Sequence, residues 1–460
     1  MVNQEATLLV ARFLKSHGYT ETLEALIREA NLAASAGSTK KGDFTLERVL
    51  EEKKIFDVSL RFEKLGDDAG KQWLAVAPAI AHPIPSPTTS NIIHTSFAVA
   101  TGNIQEGDQG KHLLFATTAD RRVNVMEVPS CALQDSLTSL QDSPVLSCAM
   151  LPSGHLLTGS MSGQITISDL AGNILCRRRD HNKYIVQVAS HEMDDTILIA
   201  TAGWDAKVNL YSMSGSEQEP RLTASIELLT NPEAILFIEH PDNKQPILIV
   251  TRRDSTYLYF HSAMSGDLLG KQNIAPHANS WTHQTPASLA LCPTDDTLLA
   301  IATSATPSMK LLLVRLLLPS SEQAESTSGP VSSAPSSLLI NPETSEQSGF
   351  ASARAALALQ DREAAAILIH CNTLAPQTAY STPALAWRPD GSGVWVNSDD
   401  GVVRGIEASS GKVVATLKGH DIGSKIRCLC TALVQSNGKT EEWLVTGGFD
   451  QKIIVWKPET

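Results

Sequence analysis

Among the seven cysteines of this 460-residue chain there is no CxxC pair, and their number is odd. These spacings exclude a disulfide framework as the organising element and offer no structural zinc site. Cys428 and Cys430 lie two apart in an expected strand, on one face, where plain core residues are expected. No apolar run approaches the roughly 18 residues of a membrane span, so no membrane partner is expected. The opening residues, MVNQEATLLV, carry neither a basic region nor a cleavable apolar stretch, which sets the cytoplasm and/or nucleus as the expected location. A basic excess is lacking too: 49 acids face 37 bases, for a net charge of −12. That disfavours direct nucleic-acid binding. A phosphate-binding glycine loop, a GxSxG elbow and metal-spaced His/Cys clusters are all missing. No catalytic residue, metal or cofactor is therefore expected, and the chain reads as not an enzyme.

What is present divides into three kinds of text. Residues 1–35 read as a pair of short helices. Leu8, Leu9, Phe13 and Leu14 recur at helical spacing, and His17-Gly18-Tyr19 stops the first helix with glycine at C′. Thr20 is the expected cap of the second helix, with Glu21 and Glu24 near its positive end and Leu23, Leu26 and Ile27 on its apolar face. Two helices of about ten residues are too few to bury these faces alone. A partner hairpin would complete a four-helix bundle through Leu9, Phe13, Leu14, Tyr19, Leu23 and Leu26; docking on the rest of the chain is the alternative. Residues 44–66 predict an additional helix with Leu46, Val49, Leu50, Phe56 and Leu60 as its apolar set.

After a Pro-rich connector, the text changes to short strand-like runs separated by turn residues, over 72–460. One unit recurs: an apolar strand, a tight turn often marked by aspartate, then an alternating strand. Copies include LLFATTADRRVNVMEV, LLTGSMSGQITISDL, ILIATAGWDAKVNLY and WLVTGGFDQKIIVW. The turn residues Asp120, Ser162, Asp205 and Asp254 recur at intervals of about 40–50 residues, as do Asp400 and Asp450, and a weaker copy between Asp254 and Asp400, LLAIATSATPSMKLLLVRL, makes seven units. Few residues follow Trp456, so the outer strand of the last unit is expected from upstream, near Lys71 to Val76 (KQWLAV), closing a ring. Residues 319–352, rich in Ser, Glu and Pro, read as a disordered insertion, either simply tolerated or partner-binding.

Two resemblances follow from these residues. The stretch LLVARFLKSHGYTETLEALIREA, with Phe13-Leu14, Gly18-Tyr19, Thr22 and Glu29, resembles a LisH motif, which implies homodimerisation. In the last repeat, Gly419-His420 precede Thr446, Asp450 and Trp456, and this resembles the buried tetrad of WD40 repeats. The third unit is similar, with His181, Thr201, Asp205 and Tyr211, tyrosine standing for tryptophan. The implied fold is mainly β: a seven-bladed WD40 β-propeller preceded by a small all-α hairpin and an extra helix. Such a tetrad satisfies buried polar groups while fixing a turn.

In WD40 propellers the loop entering each blade shares a rim with the turn between its second and third strands. Tyr184, Trp204, Arg121, Arg253 and Phe449 are thereby candidates for partner binding, with Arg122, Arg252 and Lys207 beside them. The alternative is that Trp204 and Phe449 simply cover their turns. Asp399-Asp400 fall in an expected hairpin turn, and Arg177-Arg178-Arg179 in a loop. The expectation is a protein-interaction scaffold or adaptor that binds other proteins or peptides within a larger complex, of ubiquitin-ligase receptor, cytoskeletal or dynein regulator, or corepressor type. A nucleic-acid-associated subunit using an arginine-bearing rim is the alternative.

Overall fold

The computed structural model describes residues 2–33, 35–38, 45–47, 64–66, 73, 76–100, 111–214, 219–276, 285–319, 354–355, 357–436 and 438–459. They fall into two compact units, one built from the N-terminal residues and one from residue 63 onward.

The N-terminal unit is a helical hairpin, Val2–Ser16 and Thr20–Glu29. Gly18 ends the first helix at φ +76, with Tyr19 N–H donating to the Leu14 carbonyl and Gly18 N–H to that of Lys15. This is the 6→1 and 5→2 pairing that a left-handed C′ residue permits. Thr20 is not the cap of the second helix. Tyr19 holds that position without a side-chain bond, because its carbonyl already accepts from Leu23 N–H. Residues 35–38 fold across the first helix, where Ala11 is fully buried and Lys15 Nζ donates to Ser38 Oγ. Leu8, Leu9, Phe13, Leu14, Leu23 and Leu26 are half-buried, Tyr19 is exposed, and no residue of the second helix is buried. Of the helix expected over 44–66, residues 44 and 48–63 lie outside the described residues, whereas Leu46 and Glu47 are helical.

The second unit is a seven-bladed propeller of four-stranded antiparallel sheets. Blades 1 to 6 span residues 92–137, 145–178, 185–227, 232–273, 286–376 and 385–418, each running outward in chain order. Burial follows this geometry. The second strand of a blade is covered on both faces by its neighbours, so Leu156–Ser160 is buried throughout, while the fourth strand Ala132–Leu137 is largely exposed. Hence the continuous apolar runs of the second strands and the polar text of the fourth. The core lies between adjacent blades: Trp395 and Val403 of blade 6, for example, pack with Leu444, Ile454 and Trp456 of blade 7.

Blade 7 combines Ile426–Ser436, Lys439–Gly448 and Ile453–Lys457 with an upstream strand, Ile80–Ile84. Ala81 faces Trp456 and His82 faces Val455. The upstream closure is as expected, but its position is corrected from 71–76 to 80–84. The reason lies in Trp73, whose ring is committed to blade 6. A Cβ on Gly405 would stand 2.1 Å from Trp73 Cη2, and one on Gly393 2.5 Å from its Nε1. Arg388 lies over the same ring at 4.5 Å; it is fully buried and bonds Glu442 of blade 7 at 2.7 Å. Pro83 sits on the outer edge, where a missing N–H is tolerated.

Further upstream, Lys64 is not helical: it bridges His370 on the outer strand of blade 5. Gly66 N–H then donates to Ser410 O in blade 6. The propeller unit therefore includes residues upstream of the expected 72: Lys64 lies on blade 5, Gly66 and Trp73 on blade 6, and Ile80–Ile84 on blade 7. Residues 320–352 of the expected insertion lie outside the described residues, and residues 357–366, helical, lead into the last strand of blade 5.

Candidate functional site: the loop rim of the propeller

The turns of the rim are fixed by buried polar chains. In blade 7, Trp456 Nε1 donates to Thr446 Oγ1 at 2.9 Å. An indole N–H only donates, so Thr446 gives its own hydrogen to His420 Nε2, 2.8 Å away. His420 therefore carries its proton on Nδ1 and donates it to Asp450 at 2.9 Å. Asp450 accepts the Asp421 backbone N–H as well. Burial lowers the His420 pKa despite the carboxylate beside it. Blade 3 repeats the chain from His181 to Asp205 (2.9 Å) and Thr201 (2.8 Å). Tyr211 departs from expectation: its hydroxyl, at the ring tip rather than the edge, donates to Asp180 at 3.1 Å. Blade 2 holds a version that the repeats did not signal. Gln141 takes the histidine position, its Nε2 donating to Thr158 Oγ1 at 3.0 Å, while Ser162 Oγ bonds Asp142.

These turns are tied to the loops that enter the blades. Trp204 N–H donates to Tyr184 O and Phe449 N–H to Lys425 O; Ala119, Met161, Arg253 and Ser304 make the same bond in their blades. The candidate residues are thus brought onto one rim, in separate places. Tyr184 stacks on Trp204 with centroids 5.3 Å apart, and the Arg253 guanidinium lies 5.3 Å from the Trp204 ring. Tyr184 is 40% and Phe449 43% exposed, while Trp204 is half-buried. Arg253 also pairs with Glu233 at 2.7 Å, a carboxyl whose pKa burial raises.

Other candidates serve their own blades. Arg121, at φ 69 in its turn, donates weakly to Asp142 O. Arg122 pairs with Asp120 and Lys207 with Glu227. Arg252 is turned onto Tyr259 and also donates to Thr230 Oγ1, in the loop entering its blade, at 3.1 Å. Arg178 pairs with Asp180 and Arg179 with Asp142. Asp399 is held by Lys425 and Ser381, and Asp400 by Arg404 and Ser398, so both are turn residues. All seven cysteines are free. Burial pushes the Cys428 thiol up to about 11 and the Cys430 thiol up to about 12.

A second regularity surrounds the channel. Six of the seven innermost strands carry a register shift that leaves one residue unpaired: Ile93, Leu146, Val186, Glu233, Ala287 and Arg427. Such bulges re-aim a side chain. Ile93, Leu146 and Arg427 line a cavity of about 300 Å³ with Tyr380, Lys425 and Phe449. Arg427 was not singled out in the sequence.

Among the described residues no group of His, Cys, Asp and Glu side chains is placed to hold a metal ion. No described helix is long and apolar enough to cross a membrane.

Fold and rim together define the class: a seven-bladed β-propeller carrying a LisH-type hairpin ahead of it. The family model of the UCP007778 beta-propeller domain matches residues 88–457, and that of the UCP007778 LisH domain matches residues 5–36. The chain belongs to the UCP007778 family. A comparison with curated proteins found no match.

Proposed function

We propose that this chain is a non-catalytic adaptor that pairs with a second copy through its helical hairpin and holds partner proteins on the loop rim of its propeller. The observation that carries the reading is the Tyr184–Trp204–Arg253 stack, placed at the mouth of the propeller with Tyr184 open to solvent. Aromatic and arginine side chains on a rigid base lose little freedom on binding, and they dominate interface energetics. Dimerisation is supported by the hairpin, whose apolar side chains stay only half-buried among the described residues, with no residue of its second helix fully buried. The adaptor would work inside a larger assembly of the cytoplasm or nucleus, in the manner of a ubiquitin-ligase receptor, a cytoskeletal or dynein regulator, or a corepressor subunit. The pairing of Arg122, Arg179 and Arg253 with carboxylates supports proteins rather than nucleic acid as the partner.

The test is quantitative co-purification from the native host with the tagged full chain and with Trp204→Ala/Phe449→Ala. The same set of proteins should be lost from the double variant while its Tm is retained. An unchanged set of partners on the double variant would remove the rim from the reading.

A further inference from the structure

Two of the six bulged residues that ring the channel are charged, and they are treated differently by the fold. Glu233 is neutralised by Arg253 at 2.7 Å. Arg427 has no such partner. Among the described residues no hydrogen bond or ion pair reaches its guanidinium, and its Nη1 is fully enclosed. Burial accordingly lowers its pKa. An unpaired ion in this setting lowers the stability of the fold, and the charges nearby do not relieve it. Lys425, the other cation lining the cavity, is engaged by Asp399 at 3.0 Å and by Thr378 at 3.1 Å. Asp399 itself is also bonded by Ser381.

The cavity therefore presents one uncompensated positive charge, between an apolar wall and a polar side formed by Thr382 and the neutral Lys425–Asp399 pair. Ile93, Leu146 and Phe449 line it, and Tyr380, 91% exposed, stands at its edge. A guanidinium matches a carboxylate geometrically. A single charge is balanced by a carboxylate, whereas a phosphate monoester brings about −1.5 to −2.

We propose that Arg427 anchors the side-chain carboxylate of an Asp or Glu in a peptide segment of a partner protein, with a neighbouring apolar side chain of that segment seated against Leu146 and Phe449. This rests on the adaptor reading and gives its partner a chemistry.

The full-length chain is used to select from a bead-bound library of heptapeptides capped at both ends, with phosphoserine included among the building blocks. The chain should enrich peptides with Asp or Glu beside a large apolar residue. The best of them should bind at least about thirtyfold more weakly when the acid is changed to its amide, or when the chain carries Arg427→Met. Arg427→Met should also melt at a higher temperature than the native chain, because it removes an unpaired charge that is half-buried with its Nη1 enclosed; an arginine kept for structure would give a lower one. A lower Tm, or a preference for phosphoserine over glutamate, overturns the proposal. Enrichment without acid preference, abolished by Trp204→Ala/Phe449→Ala, leaves the adaptor reading standing and sinks the role of Arg427. No enrichment at all removes both.

Discussion

Trp73 occupies the space that a side chain at Gly405 would fill, at 2.1 Å from where its Cβ would be. The slot is closed on a second side by Trp395, whose ring meets Trp73 edge-on at 4.8 Å. Gly405→Val should expel Trp73 and destabilise the propeller by about 2–4 kcal/mol. Trp73→Ala should cost a similar amount by emptying the slot. The two losses should not add, because either one dislodges the same contact. Urea denaturation of both variants and the double variant measures this; full additivity would show that Trp73 is not what Gly405 accommodates.

His420→Ala breaks the chain from Trp456 to Asp450 at its centre. The buried Thr446 hydroxyl and the Asp450 carboxylate each lose a partner, at a cost of about 2–3 kcal/mol. The rim variant Trp204→Ala/Phe449→Ala removes surface that is exposed or half-buried, and its stability should change by about 1 kcal/mol or less. Thermal denaturation of the two side by side separates structural from functional aromatics at the same rim. A rim variant that melts as low as His420→Ala would identify Trp204 and Phe449 as packing residues.

Leu14→Asp with Leu26→Asp places charge on the half-buried apolar face of the hairpin. Light scattering should give about twice the 49.4 kDa chain mass for the native protein and the chain mass for the variant, with the propeller's melting unchanged. A native chain of single mass excludes dimerisation.

Acid should destabilise the propeller before its carboxylates titrate. Burial pushes the pKa of His94 and that of His370 down to about 4, and it also lowers His261 and His420. The unfolded chain therefore binds more protons than the folded one in this range. The stabilising effect of the neutral imidazoles is complete above about pH 6.5 and is lost as the pH falls from there towards 4. At His420 the chemistry is specific, since a proton on Nε2 displaces the Thr446 hydroxyl from the bond it donates. Each of His94 and His370 should contribute about 1–2 kcal/mol. Urea midpoints across pH 7 to 4 should fall, and His370→Gln should flatten the slope; a flat profile in the native chain contradicts the assignment.

Where the sequence spoke clearly, a polar group had to sit at a fixed place. The turn acids and the chain through His420, Thr446, Asp450 and Trp456 were legible because burial leaves each hydrogen bond one geometry and hence one spacing. Closure of the last blade was legible in kind but not in place. KQWLAV and the stretch around Ile80–Ile84 are both short and apolar, and only the glycine slot of blade 6, assembled from Gly393 and Gly405, decides which one pairs with Ile453–Lys457. The substitute Gln141 escaped notice because an amide can replace an imidazole only when Thr158 is already in position. Arg427 was invisible for a related reason. Its surroundings are built by strands and loops distant in sequence, while Arg252 and Arg253, adjacent in the chain, diverge to Tyr259 and Trp204 through the alternation of one strand end.

The pairing of Ile80–Ile84 with Ile453–Lys457 joins nearly the first propeller residues to be synthesised with the last. Six blades can stack as their segments emerge, each supported by its predecessor, but the ring has no closed state until the final strand has left the ribosome. Until then Ile80–Ile84 has no sheet of its own, and the open side of blade 6 faces whatever is nearby. A message cut short before codon 453 would therefore yield an open arc with two unsatisfied sheet edges rather than a slightly smaller propeller, and such a product is matter for chaperones and proteases.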